Sequence, residues 1–212
     1  MNRDDRLKSN GAGRVLSVLQ RNRKQQEVLY RTLLHCEVLR AYDEVETYVS
    51  EQPEMVYGQI LQAPRTLIGF LTDAGGIAQV DDQGVPFACE GENYSSGDCF
   101  LSTTDEGIAA ARAFCPLERL ESLVSLKPTR KEAFLLFLEA CLEPQAFSTL
   151  ESFCNEEVRR RCFGSDGDVL EADYFVSQLE KAGGLVWKKA WVTTEEGKRF
   201  ADQVRRVPEK KI

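Results

Sequence analysis

The sequence predicts a mainly α fold with small β elements (α+β), in which two similar domains follow one another. The first observation is a repeated tripeptide, AGG, at 74–76 and again at 182–184. The second is a repeated TT-acid-acid-G motif, which reads TTDEG at 103–107 and TTEEG at 193–197. A helix-like spacing of apolar residues also precedes each AGG. Since the AGG copies lie 108 residues apart and the TT copies 90 apart, the first copy carries 18 additional residues between its motifs.

The composition is that of an ordinary globular protein. The chain has 212 residues, of which 42% are hydrophobic and 29% are charged, and this length suits one large domain or two small ones. It contains no run of 18 apolar residues, and its N-terminus, MNRDDRLKSNGAGR, lacks the apolar segment of a secretory signal. We therefore expect no membrane contact and a cytoplasmic location.

A basic arm or helix is expected over 1–27, and one long amphipathic helix over 28–49. Apolar residues recur in the second segment at steps of three and four, which is the spacing of one helix face. The helix is longer than a single domain of this kind needs. We interpret the excess as a dimerisation or partner-binding helix, or else as a helix that covers both domains. The face concerned consists of Leu29, Leu33, Cys36, Leu39 and Tyr42.

Each AGG motif is expected to end a helix. TLIGFLTDA (66–74) and DVLEADYFVSQLEKA (168–182) both place apolar residues on one helical side. Gly75 and Gly183 then lie at the position where a helix end adopts the left-handed backbone conformation, which glycine takes without steric cost. Both glycines are therefore predicted to be structural.

Each TT motif is expected to follow a strand and to start a helix. The strand candidates are IAQV (77–80) and FLS (100–102) in the first domain, and LVW (185–187) and WVT (191–193) in the second. A threonine followed three residues later by glutamate has the spacing of a capping box. The predicted capping pairs are Thr103 with Glu106 and Thr193 with Glu196.

Further helices complete each domain. In the first, MVYGQIL (55–61) forms a short helix after Pro53. In the second, RKEAFLLFLEACLEP (130–144) and AFSTLESFCNEEVRRRCF (146–163) form the first two helices. The segment CPLERLESLVSLKP (115–128) is interpreted as the connecting helix, with the domain boundary at its end.

The order of helix, glycine stop, ribbon and capped helix resembles the winged-helix superfamily. The likeness is to the wing and helix start of MarR-like and PadR-like regulators, and it covers roughly 55–110 and 145–205, about half of the chain. It implies two winged-helix domains in tandem, at 28–126 and 127–212, the first with a long acidic wing at 81–101. It indicates the superfamily and no specific family.

Winged-helix domains commonly insert their third helix into the DNA major groove, so the resemblance makes DNA a candidate partner. Phosphate contacts need Lys and Arg, yet residues 66–111 contain eight acidic residues and no basic one. Basic residues gather instead near the ends, where residues 1–31 carry a net charge of +5 and residues 198–212 a net charge of +4. DNA binding through the first domain is therefore disfavoured.

Two groups of residues are candidate contacts for a partner or for nucleic acid. At the tip of the second ribbon, Lys188 and Lys189 suit a phosphate backbone. Trp187 and Trp191 beside them either pack on their own core or anchor a partner. The candidates in the N-terminal region are Arg14, Arg21, Arg23 and Lys24.

The side chains do not predict an enzyme. His35 is the only histidine, and it lies within a helical segment rather than in a Ser-His-Asp or Cys-His arrangement. Seven cysteines are scattered without a CxxC motif, which favours buried reduced thiols over a zinc site. Only Cys89 and Cys99 are placed so that a hairpin would bring them face to face. We expect no cofactor and no metal.

These observations predict a non-catalytic winged-helix protein with a regulatory or adaptor role, acting mainly through protein contacts. A protein partner, a homodimer or both are expected. One alternative is a dimeric DNA-binding transcriptional regulator that uses 28–49 for dimerisation and its basic ends and second wing for DNA. Another is an accessory subunit of a chromosome-organising complex, which rests on fold analogy alone.

Overall fold

The structure is a computed structural model, and it describes residues 11–86, 99–163 and 171–206. The described chain is mainly helical with small antiparallel sheets, which confirms the predicted mainly α class. Most of the segment predicted as an acidic wing, with Cys89, lies outside the described residues.

The chain divides into two compact units, the first ending at Phe114 and the second beginning at Cys115. The helix that follows Cys115 therefore belongs to unit 2, whereas the sequence analysis assigned it to the first domain. We use unit 1 and unit 2 for these two parts and describe each by itself.

Unit 1 surrounds a small antiparallel sheet with helices. The sheet has the strand order β1-β3-β2, and Phe100 on the central strand faces Ala41 on one side and Val80 on the other. Its core is apolar and includes the fully buried Leu33 and Leu71. The elements are α1 (Gly11–Arg21), α2 (Gln26–His35), β1 (Arg40–Ala41), α3 (Tyr42–Ser50), α4 (Pro53–Val56), α5 (Pro64–Asp73), β2 (Ile77–Val80), β3 (Phe100–Thr103) and α6 (Asp105–Ala113).

Unit 2 has a two-stranded antiparallel sheet and an aromatic core. Phe137 and Phe175 stack at its centre with their ring centroids 5.0 Å apart. The elements are α7 (Pro116–Leu126), a 3-10 turn (Pro128–Arg130), α8 (Lys131–Ala140), α9 (Phe147–Phe153) continuing into a π-helix (Cys154–Phe163), α10 (Ala172–Lys181), β4 (Leu185–Trp187), β5 (Trp191–Thr193) and α11 (Glu195–Arg206).

The prediction of one long helix over 28–49 is wrong. Helix α2 ends at His35, and after a turn the chain runs extended through β1, which pairs with β3, before α3 begins at Tyr42. The apolar spacing continues across this break because α2 and α3 both turn their apolar sides to the core of unit 1. A periodicity of three and four residues therefore marked two helices around one core.

The predicted dimer face is also corrected by this fold. Leu29, Leu33 and Cys36 are fully buried in the core of unit 1, and the half-buried Tyr42 packs against that core. Only Leu39 is exposed, in the turn before β1. Most of the side chains predicted to contact a second subunit thus pack inside unit 1 instead.

The two units repeat one order of elements. Helices α1, α2 and α3 begin at residues 11, 26 and 42, and α7, α8 and α9 begin 105 residues later in each case, at 116, 131 and 147. The packing is repeated as well, since α1 contacts α6 in unit 1 as α7 contacts α11 in unit 2. The repeated motifs therefore belong to a repeat that extends over whole units.

A glycine–threonine junction joins the helix before the hairpin to the last helix in each unit, α5 to α6 in unit 1 and α10 to α11 in unit 2. We use this name for Gly75, Gly76, Thr103, Thr104 and Gly107, and for Gly183, Gly184, Thr193, Thr194 and Gly197. The Thr104 hydroxyl donates to the Gly75 carbonyl (2.6 Å) and accepts from the Gly107 amide (3.0 Å). The Thr194 hydroxyl makes the same two bonds to Gly183 and Gly197 at the same distances.

The predicted capping pairs are therefore displaced by one residue. The helix caps are Thr104 and Thr194, in place of Thr103 and Thr193. The Thr103 hydroxyl instead donates to the Leu33 carbonyl, and that of Thr193 to the Leu138 carbonyl, each at 2.6 Å. These carbonyls lie in the last turns of α2 and α8, where helix carbonyls lack intrahelical partners. Each threonine pair thus connects three helices of its unit.

The glycines of the junction are required by its geometry. Gly75 and Gly183 have φ values of 78° and 80°, the left-handed conformation predicted for them. A Cβ on Gly107 would lie 2.1 Å from the Gly76 carbonyl oxygen, and one on Gly197 would lie 2.4 Å from that of Gly184. The last helix can approach the glycine stop only because both positions lack a side chain.

We predict that Gly107→Ala lowers the free energy of unfolding of unit 1 by about 3 kcal/mol, since the added methyl group collides with backbone that cannot move aside. Gly197→Ala should have the same effect on unit 2. Urea denaturation followed by circular dichroism measures both.

Gly69→Ala is the matched control. A Cβ at this position within α5 meets nothing within 4 Å, so the substitution should raise stability by about 0.5–1 kcal/mol through helix propensity. Equal unfolding midpoints for Gly107→Ala and Gly69→Ala would contradict the described close approach.

Candidate binding surfaces

The predicted contact residues lie in two places. Three of the N-terminal arginines line one groove in unit 1, and the two lysines with the two tryptophans form the hairpin of unit 2. Lys24 is exposed beside the groove but does not line it.

The groove in unit 1 is bordered by α1, the turn after it and the C-terminal half of α5, and it has a volume of about 660 Å³. We call it the basic groove. Its apolar surface comes from Val18 and Phe70, and its charged side chains are Arg14, Arg21, Arg23 and Asp73. Three guanidinium groups against one carboxylate make this a site for an anionic group with an apolar part.

Arg14 also has a structural role at the C-terminal end of α5, which is indicated by its counterpart in unit 2. In unit 2, the residue 105 positions later is Arg119, whose Nη1 donates to the Lys181 carbonyl at the end of α10 (2.8 Å). In unit 1, Nη2 of Arg14 lies 3.9 Å from the place of a Cβ on Gly75, directly after α5. Both arginines therefore place a cation at the negative end of a helix dipole. Arg23 already has an interaction within the protein, so Arg21 is left as the more specific binding candidate.

The matching part of unit 2 is filled by its own side chains. Asn22 and Gln25 of the basic groove correspond, 105 residues later, to Lys127 and Arg130. Both of these donate to the Tyr174 hydroxyl, Lys127 Nζ at 2.5 Å and Arg130 Nη1 at 2.9 Å. Burial alone would raise the pKa of Tyr174, but the two cationic donors hold that pKa below its ordinary value. Unit 2 thus holds a phenol between the two cations that replace Asn22 and Gln25 of the basic groove.

The hairpin of unit 2 presents its lysines at the tip. Lys188 and Lys189 are exposed, and Lys189 has φ 63°, the one positive value of a non-glycine residue in the part of the chain that is described. Trp187 faces Trp191 across the strands. Trp191 packs against the core of unit 2, and its backbone pairs with Gln145. The tryptophans are expected either to pack on their own core or to anchor a partner, and Trp191 packs on its own core.

Helix α5 and the hairpin that follows it in unit 1 do not offer free cations to a phosphate backbone. Arg65 at the start of α5 is paired with Glu46, with Nε 2.9 Å from Oε1. Between Thr66 and Ala111 there is no Lys or Arg. Within the described part of this segment, the charged side chains are Asp73, Asp81, Asp82, Asp105 and Glu106.

His35 is a packed side chain at the C-terminal end of α2. Its ring stacks on Tyr48 with centroids 3.8 Å apart, and among the described residues its Nε2 has no hydrogen-bond partner. Burial lowers the pKa of His35 and Arg40 lowers it further, while Glu44 acts in the opposite direction. Neutral imidazole is therefore favoured in the folded protein.

The cysteines behave as small apolar residues where the structure describes them. Cys36, Cys99, Cys141 and Cys154 are buried, and burial raises the pKa of Cys36 and of Cys141 to about 12. The ranges 11–86, 99–163 and 171–206 contain no group of three His, Cys, Asp or Glu side chains arranged to hold a metal ion. No helix in these ranges is long and apolar enough to cross a membrane.

The sequence reasoning missed the apolar part of the basic groove and the Tyr174 cluster. Phe70 is half-buried and packs against the core of unit 1 while it also lines the groove, and no helical spacing distinguishes such a residue from a core residue. The signal that identifies both sites is the offset of 105 residues, which aligns Asn22 with Lys127 and Gln25 with Arg130.

No protein-family model matches this chain, and comparison with curated proteins and with solved structures gives no match. The interpretation of the surfaces therefore rests on their residues and geometry.

We predict that acidification destabilises the fold partly through His35. Because its pKa in the folded state is below the ordinary value of 6.5, the unfolded chain binds this proton more readily. The contribution of His35 to stability is present above about pH 6.5 and is lost as the pH falls through the lowered pKa.

His35→Phe keeps a ring against Tyr48 and removes this titration. Urea midpoints measured between pH 7.5 and 5.5 should fall less steeply for the variant than for the natural chain. Parallel pH profiles of the two proteins would contradict the assigned role.

Proposed function

We propose that this protein is a non-catalytic tandem winged-helix adaptor, whose basic groove in unit 1 binds an acidic segment of a partner protein. The winged-helix assignment is supported by the order of elements that follows the first helix of each unit. Two main helices, α2 and α3 or α8 and α9, lead to a helix that ends at a left-handed glycine, α5 or α10, and unit 1 has the short α4 in addition. A β-hairpin and a last helix then follow. Unit 1 adds an edge strand, β1, to its sheet.

The observation that carries the proposal is the distribution of cations in unit 1. A protein that binds a DNA duplex through its hairpin and the helix before it must place several Lys or Arg residues along that face. Here the described part of that face has Arg65 engaged with Glu46 and is otherwise acidic or neutral. The arginines gather instead around the basic groove.

The shape of the groove favours a peptide over a duplex. About 660 Å³ is the size of a pocket for one or two side chains. Unit 2 indicates the chemistry that fits such a place, since Lys127 and Arg130 there hold the phenol of Tyr174. We therefore propose that the partner segment carries an aromatic side chain, with tyrosine as the model, next to Asp or Glu.

A direct test uses a fluorescein-labelled dodecapeptide of Glu and Asp residues with one central Tyr, and a labelled 20-base-pair duplex of random sequence. Fluorescence anisotropy should show that the full chain binds the peptide more tightly than the duplex at physiological salt. Arg21→Glu should weaken peptide binding by about tenfold, because it replaces a rim cation by an anion.

Arg112→Glu is the control, since it makes the same charge change at an exposed residue of unit 1 away from the groove. It should change peptide affinity less than twofold. Duplex binding that is tighter than peptide binding and steeply dependent on salt would contradict the adaptor role.

One observation favours a second candidate, a DNA-binding regulator. Lys188 and Lys189 stand exposed at the tip of the unit 2 hairpin, where a wing meets a phosphate backbone. In that case duplex binding should be present and should be lost in Lys188→Glu/Lys189→Glu, with peptide binding unaffected by the same changes.

A further inference from the structure

Unit 2 contains a second groove, with a volume of about 810 Å³, between α7 and α11. Val124 on α7 and Phe200 and Val204 on α11 provide its apolar surface. Lys131 and Arg206 are the cations at its edge, and Glu121 is the acidic side chain. We call it the α7–α11 groove.

The corresponding joint in unit 1 is filled by the protein itself. Helix α6 contacts α1 there, as α11 contacts α7 in unit 2. Val204 corresponds to Phe114, 90 residues earlier, by the spacing of the TT motifs, and Val124 corresponds to Leu19, 105 residues earlier by the spacing of the helices. Phe114 is only 4% exposed and its ring lies 6.1 Å from that of Tyr30, while Leu19 is fully buried.

Unit 2 has smaller side chains at both positions. Val124 and Val204 are half-buried rather than buried, and the space that a leucine and a phenylalanine fill in unit 1 stays open. Leu126, which ends α7, is 81% exposed. An apolar surface of this kind costs free energy while it faces water, and a bound side chain removes that cost.

The charges at the edge define the chemistry of the occupant. Lys131 has no ion pair within the described residues, whereas Arg206 forms a long ion pair with Asp202, with Nη2 3.9 Å from Oδ2. Lys131 is available to a carboxylate, Arg206 is held only by its long contact with Asp202, and among the residues that line the groove only Glu121 is acidic. The groove combines an aromatic-sized apolar space with a net positive edge.

We propose that the α7–α11 groove binds a second partner segment, in which an aromatic side chain lies next to Asp or Glu. The aromatic ring occupies the place that Phe114 occupies in unit 1, and the carboxylate meets Lys131 and Arg206. This site is in a different unit from the basic groove, so Arg21→Glu leaves its binding intact and the two proposals fail separately.

The test selects random dodecapeptides displayed on phage against the full chain carrying Arg21→Glu, with counter-selection on the same chain that also carries Val204→Phe. We expect enrichment of peptides that contain Phe, Tyr or Trp within two residues of Asp or Glu. Val204→Phe copies the residue of unit 1, so it should keep or raise the urea midpoint and weaken binding of the selected peptides at least tenfold. Lys131→Glu should weaken them about tenfold.

Ser125→Trp blocks the groove from its exposed edge without touching the core, and it serves if Val204→Phe fails to fold. Ser152→Trp, an equally exposed change on α9, is its control and should leave binding within twofold. The proposal is overturned if no such peptides are enriched, or if they bind the blocked variants as well as the natural chain. It is also overturned if light scattering shows a dimer that Val204→Phe dissociates, because a second copy is then the occupant.

Discussion

Each unit depends on the close approach of two backbone segments at its glycine–threonine junction. The glycine stop after α5 or α10 presents its carbonyls to the first turn of the last helix, at a separation that leaves no room for a Cβ. A threonine hydroxyl lies between them as acceptor from one and donor to the other. Since the hydroxyl replaces water for both groups, the approach leaves no buried polar atom unsatisfied at this point.

Once the junction is set, the grooves are determined by which side chains a unit supplies. The joint between the first and last helices is closed in unit 1 by Phe114 and Leu19. It is open in unit 2, where the corresponding residues are both valine. The units also differ beside α5 and α10. Lys127 and Arg130 bind Tyr174 in unit 2, whereas their counterparts Asn22 and Gln25 line the basic groove in unit 1. Two copies of one architecture thus expose two different surfaces, and our proposal that the chain holds two partner segments rests on this difference.

Strands β2 to β5, the glycine stops and most helices were predictable because each has a local cause in its own sequence. The left-handed φ of Gly75 and Gly183 and the paired runs IAQV and FLS are examples. The break between α2 and α3 was not predictable in this way, because β1 exists only through its pairing with β3, some 60 residues later. The displaced helix caps and the basic groove were missed for the same reason, since Thr104 and Phe70 take their roles from segments distant in the chain.

Hydrogen–deuterium exchange of the full chain, read at single amides, tests most directly whether the junctions hold the units together. The amides of Thr104 and Gly107 and those of Thr194 and Gly197 donate within the junctions. The amides of Thr103 and Thr193 donate from the junctions to the carbonyls of Cys36 and Cys141. The account predicts that they exchange as slowly as the core helices of their own units. Exchange of these amides at the rate of the exposed hairpin tip, with the core helices still protected, would contradict it.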